Sequence, residues 1–369
     1  MQQRSLSHPT NSFFDSRTRL LLCLRYGIGD VVMETPLFDA IRRVAPGAYV
    51  TALGADPALE LLRSDSRIDQ LEAIQRWGFG HWYDEGDEQR VEEFRRWLQA
   101  ASFDVILDIS HATAGVRHAL WTYATCPMLD SDYAAVSQAL QQGVGGLEAL
   151  RRAVEQGWGI PVPEELRPRL HVSMSDRQFA SMHLSHAGIS PTDTVIGMSV
   201  EASSALKRWP LGHFAAVADA VLDSADTHLL LFVGGGTREA DSMVAMMRLG
   251  ARVHQVRSAR LGQVAALLPR CAAFVCNDTG LMHMAGAMDV PVTAMFGPTC
   301  PGIYLPNSVT AKALGGWRKP CAYRKRTSFG PPLCVAAGHC LVDSRSCIGL
   351  TGPDEVIEVV MESVANGLP

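Results

Sequence analysis

A short polar segment, Asn277-Asp278-Thr279-Gly280, follows an apolar run and precedes a helix-like stretch. Threonine is a good N-cap residue, and a glycine at the start of a helix lets a ligand approach the backbone. The N–H groups of such a helix terminus point outward and bind anions such as a diphosphate. His283 lies one turn further into the same helix. The segment predicts a phosphate site, the alternative being a capped helix that binds no ligand.

Two further segments carry side chains that suit a nucleotide diphosphate. Lys207 and Arg208 precede a helix, and a cation there would neutralise the charge that develops on a departing diphosphate. The alternative is a pair of solvated charges. A glycine-rich turn that includes Gly235 is followed by Thr237 and Glu239, which could accept hydrogen bonds from a ribose. Taken alone, a glycine-rich turn is a weak indication of a ligand.

A candidate general base lies near the start of the chain. Gly27 and Gly29 follow an apolar run and let the backbone come close to a bound molecule. Asp30 comes next, at the start of a helix-like stretch where the helix dipole favours a carboxylate. Its functional role would be to deprotonate an acceptor hydroxyl. The alternative is that Asp30 is an ordinary charged residue at a helix N-terminus.

Four cysteines near the C-terminal end lie in a stretch with few other core-forming residues: Cys321, Cys334, Cys340 and Cys347. Four thiolates can hold a structural zinc ion in tetrahedral geometry, and iron is a second candidate. The spacing is not a standard pair of C-x-x-C motifs. The alternative is therefore a set of reduced thiols that pack as small apolar residues.

Apolar runs place these segments at the ends of buried strands. Near-continuous runs that alternate with helix-like stretches are typical of parallel strands in βαβ units. Ligands bind beyond the carboxyl ends of such strands. We therefore predict an α/β protein of two Rossmann-like, doubly wound domains facing a central cleft. The predicted strands are 20–24, 49–53, 103–109, 194–198, 228–233, 272–276 and 290–296, and the predicted helices include 31–44, 211–222 and 279–288.

Length and composition agree with two globular domains, since 369 residues exceed one ordinary core and 47% of them are apolar. We expect a disordered leader over 1–17, an N-terminal domain over 18–172 and a C-terminal domain over 190–350. A helix over 351–369 is expected to end the chain, and its return to the N-terminal domain is left open. The polar stretch 173–193 separates the two halves.

Charge and hydropathy exclude several classes of protein. The formal net charge of −5 argues against general nucleic-acid binding, which needs a basic face. No secretory signal and no apolar run long enough to span a bilayer is visible. The nine cysteines are too dispersed for a disulfide framework. These features favour a cytoplasmic enzyme, with peripheral contact to a membrane left open.

Four motifs occur in a specific order: Gly-x-Gly-Asp-Val, Lys-Arg-Trp-Pro, Asn-Asp-Thr-Gly-x-x-His and Phe-Gly-Pro-Thr. In this respect the sequence resembles glycosyltransferase family 9, the heptosyltransferase family of lipopolysaccharide core assembly, over about residues 20 to 365. The resemblance implies a GT-B fold whose N-terminal domain binds the acceptor and whose C-terminal domain binds the donor. It also implies inverting, metal-independent transfer from a nucleotide-activated sugar, which is ADP-heptose in the best-known members.

Residue by residue, the resemblance implies that Asp30 is the catalytic base and that Lys207 lies near the donor diphosphate. Glu239 corresponds loosely to a ribose-binding carboxylate. No cofactor is implied for the transfer itself. The residues expected to bind the donor are Gly29, Ser199, Arg208, Gly235, Thr237, Glu239, Asp278, Thr279, Gly280 and His283.

The sequence departs from the family pattern at three places. The loop 25–30 is one residue shorter than the common form, which affects the aim of Asp30. Cys300 stands where aspartate is usual, and Ser199-Val-Glu-Ala replaces a small Pro-Gly-Ala-type turn. These departures weaken the transfer of donor identity more than that of the fold.

Two other functions remain open at this point. A nucleotide-sugar epimerase would need a second acid or base, for which His283 is the only obvious candidate. A non-catalytic scaffold that binds a nucleotide-sugar would not need Asp30 or Lys207. The acceptor is open among a glycan or lipid-core sugar, a protein hydroxyl and a small molecule, and the sequence does not set the oligomeric state.

Overall fold

The structure is a computed structural model that describes residues 14–81, 84–110, 115–223, 226–234, 238–323, 332–342 and 346–367. The chain divides into two compact units, residues 1–166 and 167–369. Most of the leader expected over 1–17 lies outside the described residues, while Phe14 packs against the core of the first unit.

A parallel sheet forms the centre of the first unit. Its strands in the described residues are β1 Arg19–Cys23, β2 Tyr49–Gly54, β3 Gln70–Ala73, β4 Val105–Asp108 and β5 Met128–Asp130. They lie in the order β3-β2-β1-β4-β5. After β1 the chain adds strands on one side of the sheet and then on the other. The topological switch point, where ligands bind in such sheets, therefore lies between β1 and β4.

The helices of the first unit are α1 Ile28–Val44, α2 Glu88–Ala101, α3 Val116–Tyr123, α4 Tyr133–Gln141 and α5 Gly146–Trp158. Helix α1 begins at Ile28, earlier than the predicted residue 31, and buries Leu37, Phe38 and Ile41 against the sheet. Helix α2 is amphipathic and buries Phe94 and Leu98. The packing of α1 against the sheet fixes the direction of this helix and therefore the position of its first turn.

A second parallel sheet forms the centre of the second unit. Its strands in the described residues are β6 Thr194–Ser199, β7 Thr227–Val233, β8 Val253–Arg257, β9 Ala273–Asn277, β10 Val292–Met295 and β11 Ala311–Leu314. Their order is β11-β10-β9-β6-β7-β8. The switch point of this sheet lies between β6 and β9, so the loops that follow these two strands diverge above a shared edge.

The helices of the second unit are α6 Met174–His186, α7 Leu211–Val221, α8 Glu239–Met246, α9 Leu261–Leu267, α10 Gly280–Ala287, α11 Pro301–Tyr304, α12 Leu333–Ala337 and α13 Pro353–Gly367. The polar stretch 173–193 contains α6, which begins with a capping box in which Ser173 Oγ accepts from the Asp176 N–H at 3.0 Å. Helix α6 packs against α9 and belongs to the second unit.

Helix α13 packs within the second unit, although its return to the N-terminal domain was left open by the sequence. Val356 and Val360 are fully buried in the same core as Phe214 and Val217 of α7. The apolar face of α13 thereby completes the core beside β9 and β10. In the described part of the chain, no helix is both long and apolar enough to span a bilayer.

The predicted strands are all present, with ends that differ by one or two residues from the apolar runs. The four strands that the sequence does not predict, β3, β5, β8 and β11, are the edge strands of the two sheets. Most of their residues are only half-buried. They therefore lack the unbroken apolar runs that mark strands buried on both faces.

Val360→Ala tests the place of α13 in the second core. The change removes buried methyl groups and leaves a cavity, so we expect the free energy of unfolding to fall by about 2 kcal/mol. Met361→Ala is the matched control, because Met361 is 48% exposed. Urea unfolding of both variants measures the difference. Equal stability of the two variants would contradict the burial of this face.

Candidate active site

The carboxyl end of β9 leads directly into α10. Asn277 and Asp278 are buried there, Thr279 is the N-cap residue and Gly280 begins the helix. The Thr279 hydroxyl makes no capping hydrogen bond, which corrects the expectation of a threonine cap, and its buried Oγ1 has no partner in the described residues. His283 is buried on the same helix. A helix start without a side-chain cap suits a terminus whose N–H groups bind an anion.

The side-chain amide of Asn277 joins the two loops at the switch point of the second sheet. Its Oδ1 accepts a hydrogen bond from the Trp209 backbone N–H at 2.9 Å, and its Nδ2 donates to the Val200 carbonyl at 2.8 Å. The side chain is fully buried, so these bonds replace the water that the amide loses on folding. The loop after β6 is thereby tied to the start of α10.

Lys207 and Asp278 form an ion pair across this junction. Lys207 Nζ lies 2.8 Å from Asp278 Oδ2, with the side chains 17% and 6% exposed. The position of Lys207 is fixed by Trp209, which is buried and donates from its indole Nε1 to the Thr351 carbonyl at 2.9 Å. The structure thus brings together a cation and a carboxylate from two separate sequence motifs.

A second ion pair joins two other residues of the expected donor set. Arg208 Nη1 lies 2.6 Å from Oε1 of Glu239, the first residue of α8, and Arg208 Nε donates to the Ala202 carbonyl at 3.2 Å. Gly235 and Thr237 lie outside the described residues. The carboxylate that is expected to meet a ribose is therefore already neutralised by a neighbouring guanidinium.

Two other residues of the sequence motifs, Ser199 and Thr299, lie near the carboxyl ends of β6 and β10. Ser199 is buried and lies opposite Cys276 in the register of β6 and β9. Beyond it, Glu201 Oε2 accepts from the Gly234 N–H at 2.8 Å. Thr299, which follows β10 in the Phe-Gly-Pro-Thr motif, is buried, and its Oγ1 has no partner in the described residues. A buried hydroxyl without a partner is costly and is explained when a ligand or water supplies one.

In the first unit, Asp30 lies in the first turn of α1, directly after half-buried Gly29. The Gly27 N–H donates to Asp30 Oδ2 at 3.2 Å, and a Cβ on residue 27 would lie 2.7 Å from that oxygen. Arg25 Nη1 lies 3.0 Å from Asp30 Oδ1, and the Asp30 side chain is 33% exposed. The carboxylate is therefore held by two donors and still reaches solvent.

Glu34 is a functional candidate that the sequence motifs do not mark. It is fully buried, and its Oε1 lies 2.5 Å from Arg25 Nε. Burial raises the pKa of Glu34, whereas the charge and the hydrogen bonds of Arg25 lower it. The signal in the sequence is a single glutamate within the apolar start of α1, beside Val31 to Met33.

The two units thus carry polar motifs at the switch points of two parallel sheets, and known families share this arrangement. The sequence profile of Glycosyltransferase family 9 (heptosyltransferase) matches residues 130–331, more than half of the chain. The chain belongs to glycosyltransferase family 9. The predicted family and the prediction of a glycosyltransferase are both confirmed.

This family 9 glycosyltransferase is 25% identical to lipopolysaccharide heptosyltransferase 2 of Salmonella typhimurium over 305 residues, 78% of this chain and 85% of the relative. A family 9 glycosyl transferase of Veillonella parvula superposes with a TM-score of 0.78 at 19% identity, covering 96% and 98% of the two chains. ADP-heptose lipopolysaccharide heptosyltransferase II of Escherichia coli superposes with a TM-score of 0.66 at 18% identity, covering 95% and 99%. The predicted GT-B fold of two Rossmann-like domains is confirmed.

The four C-terminal cysteines of this glycosyltransferase are free thiols. Burial raises the pKa of Cys334, and the charges of Cys321 and Cys340 raise it further. Over the described ranges, no three His, Cys, Asp or Glu side chains are grouped as a metal site. The iron-containing dodecameric glycosyltransferase TibC of E. coli superposes with a TM-score of 0.55 at 13% identity, over 96% of this chain and 78% of that one, which shows a shared fold alone.

A further charged group lies at the carboxyl edge of the first sheet, and the motifs do not mark it either. Arg117 Nε lies 2.6 Å from Asp108 Oδ2, and Arg117 also pairs with Asp130. The two aspartates end the neighbouring strands β4 and β5. Burial and then the charge of Asp108 raise the pKa of Asp130 to about 6, although Arg117 lowers it. The group lies at the same sheet edge as Asp30.

Asn277→Asp tests the amide junction. The aspartate can still accept from the Trp209 N–H, but it cannot donate to the Val200 carbonyl and it buries a charge. We expect the free energy of unfolding to fall by about 2–3 kcal/mol. Asn307→Asp is the matched control at an exposed position. Urea unfolding of both variants measures the effect, and unchanged stability of Asn277→Asp would contradict the role of the junction.

Proposed function

We propose that this enzyme is an inverting, metal-independent glycosyltransferase that moves a heptose from ADP-heptose to a hydroxyl group of a lipopolysaccharide core. The observation that carries the proposal is the pair of Lys207 and Asp278 beside the uncapped start of α10, at the switch point of the second sheet. A cation and a helix N-terminus together suit a departing diphosphate. The names of the relatives in Salmonella and E. coli support the choice of sugar and acceptor.

The donor side of this proposal uses residues of the second unit. The N–H groups at Thr279 and Gly280 would bind the diphosphate, since anions are favoured at a helix N-terminus. Lys207 would neutralise the charge that grows on the diphosphate as it leaves, and its partial burial limits screening by water. Glu239 would accept hydrogen bonds from the ribose while Arg208 balances its charge.

The chemical step would be a single displacement. Asp30 takes the proton of the acceptor hydroxyl while the oxygen attacks the anomeric carbon. The new carbon–oxygen bond forms as the bond to the diphosphate oxygen breaks, and ADP leaves with the electron pair. The attacking oxygen approaches opposite the leaving group, so the configuration inverts. For this function we place the enzyme in the cytoplasm, in peripheral contact with the inner face of the inner membrane.

Asp30→Asn and Lys207→Met are expected to separate the loss of the base from the loss of donor binding. The amide cannot accept the acceptor proton, so Asp30→Asn should lower kcat at least about a thousandfold with unchanged ADP binding. Lys207→Met should weaken ADP binding and lower transfer about a hundredfold. Heptose transfer and the thermal shift with ADP are the two measurements. Asp39→Asn is the control, because Asp39 is a half-buried carboxylate further along α1 that pairs with Arg67.

Four outcomes would contradict parts of this proposal. Normal turnover by Asp30→Asn would remove the base assignment. Isomerisation of ADP-heptose without an acceptor would indicate an epimerase, and binding without hydrolysis or transfer would indicate a scaffold. A thermal shift with GDP-, UDP- or dTDP-sugars but not with ADP-heptose would overturn the donor.

We also propose that the four cysteines hold a structural zinc or iron ion outside the reaction. Thiolates are the ligands that suit both metals, and the effect of Cys321 and Cys340 on the pKa of Cys334 supports the proposal. A metal would neutralise this repulsion, and Cys347 would complete a set of four. Such sites are rarely preformed without the ion, so binding would draw the thiols closer.

Metal analysis of the purified protein tests this site. We expect close to one zinc or iron ion per chain, a loss of that metal in Cys334→Ser, and a lower melting temperature of this variant. Cys300→Ser is the matched control, since Cys300 lies outside the set of four. A metal content far below one per chain for both elements would remove the proposal.

A further inference from the structure

A buried charged group underlies the candidate base in the first unit. Arg25 follows β1, and its side chain is 7% exposed, while Glu34 of α1 is 0% exposed. Arg25 Nε lies 2.5 Å from Glu34 Oε1, and the Arg25 backbone N–H lies 3.3 Å from Glu34 Oε2. Glu34 therefore fixes both the side chain and the main chain of Arg25. Such buried pairs are costly to build, which calls for a reason beyond stability.

The same guanidinium reaches Asp30. Arg25 Nη1 lies 3.0 Å from Asp30 Oδ1, so different nitrogens of one arginine contact the two carboxylates. Asp30 and Glu34 are four residues apart on α1, so they share one face of the helix. We propose that Arg25 and Glu34 are positioning residues for Asp30: Glu34 holds Arg25 in place and shares its charge, and Arg25 aims the Asp30 carboxylate at the acceptor hydroxyl. This inference rests on the proposed function of Asp30.

The shared charge has a consequence for proton transfer. An arginine paired with one carboxylate alone stabilises the ionised form and makes it a poor base. Glu34 competes for the Arg25 charge and so leaves Asp30 better able to take a proton. The charged groups that act most strongly on Glu34 are Arg25, in the loop before α1, and Asp30 on α1 itself. Hydrogen bonds from the Arg25 side chain and backbone N–H stabilise the ionised form of Glu34, which the competition for the Arg25 charge requires.

Opposite shifts of the pH profile test the arrangement. Glu34→Gln keeps the shape of the side chain but leaves the Arg25 charge to Asp30 alone. The acidic limb of the kcat/KM profile should then move to lower pH, with kcat reduced about tenfold. Arg25→Gln removes the positive charge, so the acidic limb should move to higher pH, with a similar loss of kcat. The KM for ADP-heptose should stay unchanged in both variants.

Asp39→Asn is the matched control, because it removes a carboxylate of α1 that pairs with Arg67 instead of Arg25. Its pH profile should coincide with that of the wild type. Loss of activity in Glu34→Gln without a shift of the acidic limb would show a merely structural role and overturn the inference. An unshifted profile with full activity would overturn it as well.

The double variant Arg25→Gln/Glu34→Gln keeps the test decisive if a single variant fails to fold, because it leaves no unpaired buried charge. Its acidic limb should lie above that of the wild type, and a coincident limb would overturn the inference. Asp30→Asn separates this inference from the proposed function. If Asp30→Asn is inactive and the profiles of the other variants do not move, the base assignment stands and the positioning role falls. If Asp30→Asn is fully active, both fall.

Discussion

The parallel pairing of β6 with β9 is the contact on which the arrangement of Asn277, Asp278 and Lys207 depends. Ser199 lies opposite Cys276, so both strands end at the same level, and the chain continues from them in opposite directions. The loop after β6 carries backbone groups without strand partners, and Asn277 at the end of β9 satisfies an N–H and a carbonyl of that loop. In a buried setting such bonds are strong, and leaving them unmade is costly. The place of Lys207 beside Asp278 follows from this junction.

Charge is distributed unevenly between the interior and the surface. Buried ion pairs seldom add net stability, because desolvation offsets the attraction between the charges. Exposed pairs such as Arg248 with Asp223 contribute about 0–1 kcal/mol. Yet Glu34 and Asp108 are fully buried with arginine partners, and both lie in the first unit near the carboxyl edge of its sheet. Doubly wound sheets bind ligands at that edge, so function explains these charges better than stability does.

The central strands could be predicted from the sequence, because strands buried on both faces form near-continuous apolar runs. The polar segment from Asn277 to Gly280 could be predicted to follow a strand, because it comes directly after such a run. The edge strands could not, since half-buried residues leave no such run. Contacts between residues far apart in the sequence could not be predicted either. The hydrogen bond between Asn277 and Trp209 is an example, because no local pattern at either residue indicates it. The prediction for Thr279 was wrong. A threonine at this position predicts a side-chain cap, but its hydroxyl makes no capping hydrogen bond. The burial of Glu34 could not be predicted, because a single acidic residue in a helix usually faces solvent.

Each proposed site holds its cation with a carboxylate of the same unit before any substrate arrives: Lys207 with Asp278, and Arg25 with Glu34. A cation held in this way attracts a ground-state anion less than a free one does, but it needs little reorganisation when charge develops in the transition state. In the proposed mechanism the N–H groups of α10 would hold the diphosphate first, and Lys207 would contribute most as the diphosphate departs. In the same mechanism the sharing would draw part of the Arg25 charge toward Glu34, so that the Asp30 carboxylate would not be fixed in an ion pair with Arg25 alone.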